Sequence, residues 1–265
     1  PPKSSQKLWA DGAYLIKLEL KNNSSEERQP QLIDSLMAVY DTRAEHFPTT
    51  LKNPKNKCSV LERKGTDLYR FNKSAFAESY EILKSTIDCL EGKSSATAIK
   101  TFYNASALTM QRTLKGDSVA QNNLKIQMLN DYIRLTAYCD ENITTATKEK
   151  TKQNYTKVKS ALERLFVQIA KCDEIVPILS AAIESNPDDT LLKRQALQIL
   201  ENTPNCSDNE LYLPIATELY KTQPSARAAY DIGIAYSKAN QLDSSLVYMS
   251  EAVEKCIDCE DRFNY

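Results

Sequence analysis

The stretch that decides the fold is YDIGIAYSKANQLDSSLVYMSEAV, residues 230–253. A polar segment, KANQLD, separates two runs in which apolar residues recur at steps of three and four, the spacing of one helix face. The stripe consists of Ile232, Tyr236, Leu246, Met249 and Ala252. Gly233 stands inside the first run, where a glycine costs about 1 kcal/mol relative to alanine, so we expect a packing reason for it. The stretch predicts two antiparallel helices that approach each other closely at Gly233.

Helical periodicity extends along the rest of the chain. Residues 32–47 and 76–90 each carry an apolar stripe at helical spacing. Asp117, which follows Gly116, is predicted to cap the helix that begins after it. No alternating strand pattern of four or more residues is present. The gaps between stripes are short, so we expect about a dozen helices in antiparallel pairs and an all-α fold.

Residues 229–252 resemble the tetratricopeptide repeat, a helix–turn–helix unit of 34 residues. The matching positions are Ala229, Ile232, Gly233, Tyr236, Ser245, Met249 and Ala252, with Ala229 in place of the usual Trp. The offset from Gly233 to Ser245 is predicted to recur from Gly65 to Ala77 (245 − 233 = 12; 77 − 65 = 12). The resemblance is strong over about 172–257, weaker over 59–90 and only architectural elsewhere. In layout the chain is also similar to tetratricopeptide-like envelope proteins of gut Bacteroidetes.

This resemblance implies a right-handed superhelical solenoid of antiparallel helix pairs. Residues 1–171 would form a divergent helical-repeat region, and residues 172–265 better-formed repeats continuous with it as one solenoid. In this family the first helix of each pair lines the concave groove. The groove candidates for binding a partner are Arg194, Gln198, Arg227, Tyr230, Ile234 and Lys238.

The function expected from the resemblance is a non-catalytic protein–protein interaction scaffold that binds a peptide or protein segment in the groove. Two alternatives stay open. An α/α-toroid enzyme acting on carbohydrate would be favoured by a deep pocket with two carboxylates. A purely structural helical domain would be favoured if the chain's own terminus filled the groove.

Composition and motifs exclude several other classes. The formal net charge is −1, from 34 Lys+Arg and 35 Asp+Glu, so the basic excess typical of nucleic-acid binding is absent and no nucleic-acid partner is expected. No apolar run reaches the roughly 18–20 residues of a membrane span. His46 is the only histidine, and no glycine-rich phosphate motif occurs. We therefore expect no cofactor, no metal site and no catalytic residue.

A lysine run lies between residues 148 and 159. Its residues, Lys148, Lys150, Lys152, Lys157 and Lys159, spread around a predicted helix. This spacing predicts a solvated helix face, with an anionic partner as the alternative.

The seven cysteines lead to a prediction about compartment. Cys172 and Cys206 lie in turns expected on the same edge of the stack, so we predict that they are close enough to form a disulfide. A bond there would favour a periplasmic or cell-envelope location over the cytoplasm. Cys256 and Cys259 are interpreted as ordinary thiols at a helix end, with a local disulfide or a metal half-site as alternatives.

The C-terminal residues EDRFNY are predicted to begin another first helix. Phe263 follows Ala229 by one repeat length (263 − 229 = 34), where the family prefers an aromatic residue. An array that ended here would leave an uncapped apolar face. We therefore expect the last helix to contact another chain, or the native protein to continue.

Overall fold

A computed structural model describes residues 5–22, 25, 27–206, 208–222 and 224–256. Over these ranges the chain is all-α, with twelve α-helices and no strand. The helices are α1 (Gln6–Lys21), α2 (Arg28–His46), α3 (Asn56–Phe71), α4 (Phe76–Leu90), α5 (Ala96–Leu108), α6 (Ser118–Thr145), α7 (Glu149–Ile169), α8 (Cys172–Ser185), α9 (Thr190–Asn202), α10 (Tyr212–Thr222), α11 (Ala226–Lys238) and α12 (Leu242–Glu254). The predictions of an all-α chain and of about a dozen helices are confirmed.

Polar side chains fix where several of these helices begin. The Asp117 carboxylate accepts a 2.9 Å hydrogen bond from the Ala120 amide, so the predicted cap of α6 is confirmed. Ser95, Asp189 and Ser225 accept amide hydrogen bonds in the same way at the starts of α5, α9 and α11. Each such cap stabilises its helix by about 1 kcal/mol because it satisfies an amide that has no partner within the helix.

The chain divides into two compact units, residues 1–165 and 166–265. The sequence placed its boundary after residue 171, six residues later (171 − 165 = 6). In the first unit each helix from α1 to α6 contacts the next, and α3 also contacts α5. Helix α7 joins this unit through Tyr155, whose hydroxyl donates a 2.8 Å hydrogen bond to the Ser94 carbonyl. Side chains that are fully buried here include Leu36, Leu83, Ile87, Phe102 and Leu135.

In the second unit each helix from α8 to α12 contacts the next. Its buried core includes Ile175, Leu179, Ala196, Leu200 and Ile232. The turns between helices contain Pro187, Pro204 and Pro224, none of which lies inside a helix. The right-handed superhelix and the continuity of the two regions as one solenoid remain predictions.

The close approach expected at Gly233 is confirmed. A Cβ atom placed on Gly233 would lie 3.0 Å from the Cγ of Met249 on the facing helix α12. The hydroxyl of Ser245, which is buried, donates a 2.8 Å hydrogen bond to the Gly233 carbonyl. Gly233, the Ser245 hydroxyl and the Met249 thioether thus contribute to the contact between α11 and α12, together with the stacked rings of Tyr236 and Tyr248.

The same device joins α3 to α4, although not at the predicted residue. The Ser79 hydroxyl donates a 2.8 Å hydrogen bond to the Gly65 carbonyl, so the offset is 79 − 65 = 14 and the assignment of Ala77 is wrong. Helix α3 extends 71 − 65 = 6 residues past its glycine, against 238 − 233 = 5 in α11. The loop that follows is also one residue longer, 72–75 instead of 239–241. These two extra residues move the contact from Ala77 to Ser79.

Helix α12 exposes several apolar side chains. Leu246 is 66% exposed, so its place on the predicted buried stripe is wrong, and the inward position belongs to Ser245. Leu242, Val247 and Val253 are also exposed. The prediction that EDRFNY begins a further helix concerns residues outside the described part of the chain.

Candidate functional site

A cavity of about 520 Å³ lies beside α9 and α11 in the second unit. Three of the six groove candidates line it, namely Arg194, Gln198 and Arg227. Arg194 and Gln198 lie one turn apart on the same face of α9. Arg227 lies in the first turn of α11. Leu197 and Leu219 supply apolar wall, so the cavity combines cations, amides and aliphatic surface.

Two carboxylates share this cavity with Arg227. The Arg227 Nη2 atom lies 3.2 Å from both carboxylate oxygens of Glu201, and its Nε atom lies 2.8 Å from Oδ1 of Asp231. The Tyr212 hydroxyl also donates a 2.5 Å hydrogen bond to Glu201. Arg227 therefore joins α9 to α11 through ion pairs on both helices.

Asp231 is the more deeply buried acid of the cluster. Its side chain is nearly buried, and this burial raises the pKa of its carboxyl group to about 7, although the charge of Arg227 acts in the opposite direction. Burial disfavours the ionised form because the carboxylate loses hydration. Asp231 therefore exchanges its proton near neutral pH.

The other three candidates do not line this cavity. Tyr230 is half-buried, and the guanidinium of Arg227 lies 5.6 Å from its ring centre. Ile234 is half-buried as well. Lys238 is exposed, and its Nζ atom lies 5.5 Å from the ring centre of Tyr212, beside a smaller cavity along α10. Residues 230, 234 and 238 follow one stripe of α11, whereas Arg227 and Asp231 follow the adjacent one.

The two acidic residues of the site, Glu201 and Asp231, were not predicted from the sequence. Arg227 and Asp231 have the i, i+4 spacing of a helical ion pair, which is a signal that the sequence contains. Glu201 carries no such signal, because its pairing with Arg227 depends on how α9 packs near α11.

The predicted pairing of Cys172 with Cys206 is the one present in the structure, with Cα atoms 5.0 Å apart. A second disulfide, Cys58–Cys89, joins α3 to α4 and was not predicted. Cys139 is a free, buried thiol whose pKa is raised to about 12 by burial.

The C-terminal cysteine pair is only partly described. Cys256 is disulfide-bonded, so its interpretation as an ordinary thiol is wrong. Cys259 lies outside the described residues. In the described part of the chain no three His, Cys, Asp or Glu side chains are grouped in a way that could hold a metal ion.

Comparison of the chain with protein-family models gives no match, and comparison with curated proteins gives none either. None of the described helices combines the length and the apolar character needed to cross a bilayer. The tetratricopeptide resemblance consequently remains a resemblance, and the site has to be interpreted from its own chemistry.

Proposed function

We propose that this chain is a non-catalytic interaction module that binds an extended segment of a partner protein along α9 and α11. The observation that carries the proposal is the cavity of about 520 Å³ on neighbouring helices, a volume within the roughly 300–1,000 Å³ of ligand sites. Gln198 and Asn202 carry amides that can pair with a peptide backbone. Leu197 and Leu219 offer apolar surface, and Arg194 adds positive charge to the wall of the cavity.

The architecture proposed with this function is a tetratricopeptide-like array of right-handed pitch. The support is the shared packing device, in which a serine hydroxyl on the second helix of a pair bonds the carbonyl of a glycine on the first. A periplasmic or cell-envelope location belongs to the same proposal. Its support is the pair of disulfides, Cys58–Cys89 and Cys172–Cys206, since such bonds persist in oxidising compartments.

A carbohydrate-active enzyme is the second candidate, because Glu201 and Asp231 share one cavity and the pKa of Asp231 is raised to about 7. Retaining and inverting glycosidases need a pair of carboxylates with separated pKa values. Here, however, Arg227 pairs with both groups, and the Tyr212 hydroxyl occupies Glu201 as well. The described residues that line the cavity include no aromatic ring on which a sugar could stack. These contacts favour binding over hydrolysis.

The test begins with peptides selected from a random display library against the disulfide-intact chain. One selected peptide is then titrated against Arg194→Ala and Gln198→Ala, whose side chains line the cavity. Central interface residues contribute more than about 1 kcal/mol, so we expect Arg194→Ala to weaken binding about 10-fold. Lys221→Ala is the matched control, because Lys221 is an exposed cation of α10 that does not line the cavity.

Equal affinity of the wild-type chain and both cavity variants would refute the proposal. The enzyme candidate is tested separately with a panel of chromogenic glycosides. Turnover that is abolished by Glu201→Gln would establish hydrolysis in place of simple binding.

A further inference from the structure

A second cavity, of about 710 Å³, lies in the first unit along α3, α5 and α7. These helices alternate with α4 and α6 along the chain, and α3 contacts α5 directly. Among the described residues, four cations and one carboxylate line this cavity. The cations are Arg70, Lys73, Lys100 and Lys157, and the carboxylate is Asp67. Lys157, one member of the lysine run between residues 148 and 159, therefore lies at a cavity, whereas Lys159 forms an ion pair with Asp140 at 2.8 Å.

The single carboxylate does not neutralise these cations. Asp67 is buried and accepts a 2.5 Å hydrogen bond from the Tyr40 hydroxyl. It also forms a 2.9 Å ion pair with Lys17, which balances its negative charge. In the part of the chain that the structure describes, neither Lys100 nor Lys157 forms an ion pair with a carboxylate. The protein as a whole carries a formal net charge of −1, so this cavity concentrates positive charge that the chain does not have in general. A cleft lined by one sign of charge attracts ligands of the opposite sign.

The uncharged part of the lining suits a peptide backbone. Asn104 is half-buried and Asn154 exposed, and among the described residues neither amide has a hydrogen-bond partner. Each amide group can donate to a peptide carbonyl and accept from a peptide N–H. Thr101 is buried in the floor beside them.

The aromatic content of the lining argues against a sugar or a nucleic-acid strand. Tyr69 is the one aromatic residue among the described lining residues, and the Nζ atom of Lys73 lies 4.8 Å from its ring centre. Single-stranded nucleic acids stack successive bases on several aromatic rings, whereas the described lining offers one ring with a cation over one of its faces.

We propose that this cavity binds an acidic peptide segment, with Lys100 and Lys157 pairing with its carboxylates and Asn104 and Asn154 pairing with its backbone. The site is distinct from the one beside α9 and α11 and lies in the other unit of the chain. The proposal therefore does not depend on the function assigned to that cavity.

The experiment uses a fluorescent peptide in which glutamate alternates with serine, and a matched peptide in which glutamine replaces glutamate. Fluorescence anisotropy with the full chain should detect binding of the acidic peptide at low salt and none of the neutral one. Each exposed ion pair contributes modestly, so the loss of both in Lys100→Gln/Lys157→Gln should weaken binding about 10-fold. Added salt should weaken the wild-type interaction because it screens these exposed charges.

Lys57→Gln/Lys115→Gln is the matched control, since it removes two exposed lysines of the same unit that do not line the cavity. We expect its affinity to stay within about twofold of the wild-type value. An equal loss in both double variants would overturn the proposal, because the effect would then come from net charge alone. Equal binding of the two peptides, or tight binding of a sulfated polysaccharide in the absence of acidic-peptide binding, would overturn it too. Weakened binding in Arg194→Ala, with no loss in Lys100→Gln/Lys157→Gln, would assign the acidic peptide to the α9–α11 cavity and overturn this proposal.

Discussion

Alanine substitution should have different effects at the two glycines that join helix pairs. At Gly65 a Cβ atom would lie 2.7 Å from Cγ and 2.9 Å from Cδ2 of Leu83, a fully buried, branched side chain. At Gly233 the nearest atoms lie at 3.0–3.1 Å, and all three belong to Met249, which is unbranched and only half-buried. Alanine at position 65 requires the branched side chain of Leu83 to move within a packed core. Alanine at position 233 requires only the flexible side chain of Met249 to shift by a few tenths of an ångström.

The expected magnitudes follow from two opposed effects. Overpacking a core costs about 1–3 kcal/mol, and replacing a helical glycine with alanine recovers up to about 1 kcal/mol. Gly65→Ala should therefore lower the free energy of unfolding by about 1–2 kcal/mol. Gly233→Ala should stay within about 0.5 kcal/mol of the wild type, because Met249 can change rotamer. Gly12→Ala is the control: no side chain lies within 4 Å of that site in α1, so only the gain in helix propensity remains.

Urea denaturation measures the free energy of unfolding of each variant. Hydrogen exchange with mass spectrometry shows which helices are destabilised. Faster exchange should appear in peptides from α3 and α4 of Gly65→Ala, and none in peptides from α11 and α12 of Gly233→Ala. If Gly65→Ala proves as stable as Gly12→Ala, the Leu83 side chain can repack at little cost. Glycine would then not be required for the close approach of α3 to α4. Greater destabilisation at Gly233 than at Gly65 would refute the argument from side-chain branching.

Two further predictions concern the second unit. The Cys172–Cys206 disulfide spans a sequence separation of 34, for which chain entropy gives about 3–4 kcal/mol, so Cys172→Ala/Cys206→Ala should lower the free energy of unfolding by that order. Urea denaturation checks this, and an unchanged midpoint would contradict it. Asp231 has a folded pKa of about 7 against 3.8, so its protonated form favours folding, and stability should fall by up to about 4 kcal/mol as pH rises from about 4 to about 7. Asp231→Asn should flatten that part of the stability–pH curve, and an unchanged curve would exclude Asp231 as its cause.

Local features of the sequence were enough to predict the helices and one of their contacts. Periodicity located the stripes, and Asp117 located the start of α6, because a cap requires only residues that are close in sequence. Gly233 could be interpreted because a helical glycine needs a packing reason, and Met249 lies at the expected offset. The Cys172–Cys206 pairing was predicted because both residues were placed in turns on the same edge of the stack, with the inserted turn supplying the reach.

Predictions that depended on counting residues between helices were less secure. Ala77 was expected to match Ser245, yet one extra helical residue and one extra loop residue gave that position to Ser79. Leu246 was expected on the buried stripe because it is apolar, but Ser245 faces inward since its hydroxyl has the Gly233 carbonyl as a partner. Adjacent residues of a helix point in different directions. An error of one residue in the alignment can therefore exchange a core position for a solvent-exposed one.

The sequence by itself determined the helical class, the succession of short turns and the kinds of residue that each helix offers. Only the tertiary structure decided which charges share a cavity. Glu201 and Arg227 meet because α9 and α11 both pack against α10, and Lys100 and Lys157 line one cavity although α6 separates their helices along the chain. Helix formation depends on neighbours within about four residues, whereas these sites depend on the packing of helices that are distant in sequence.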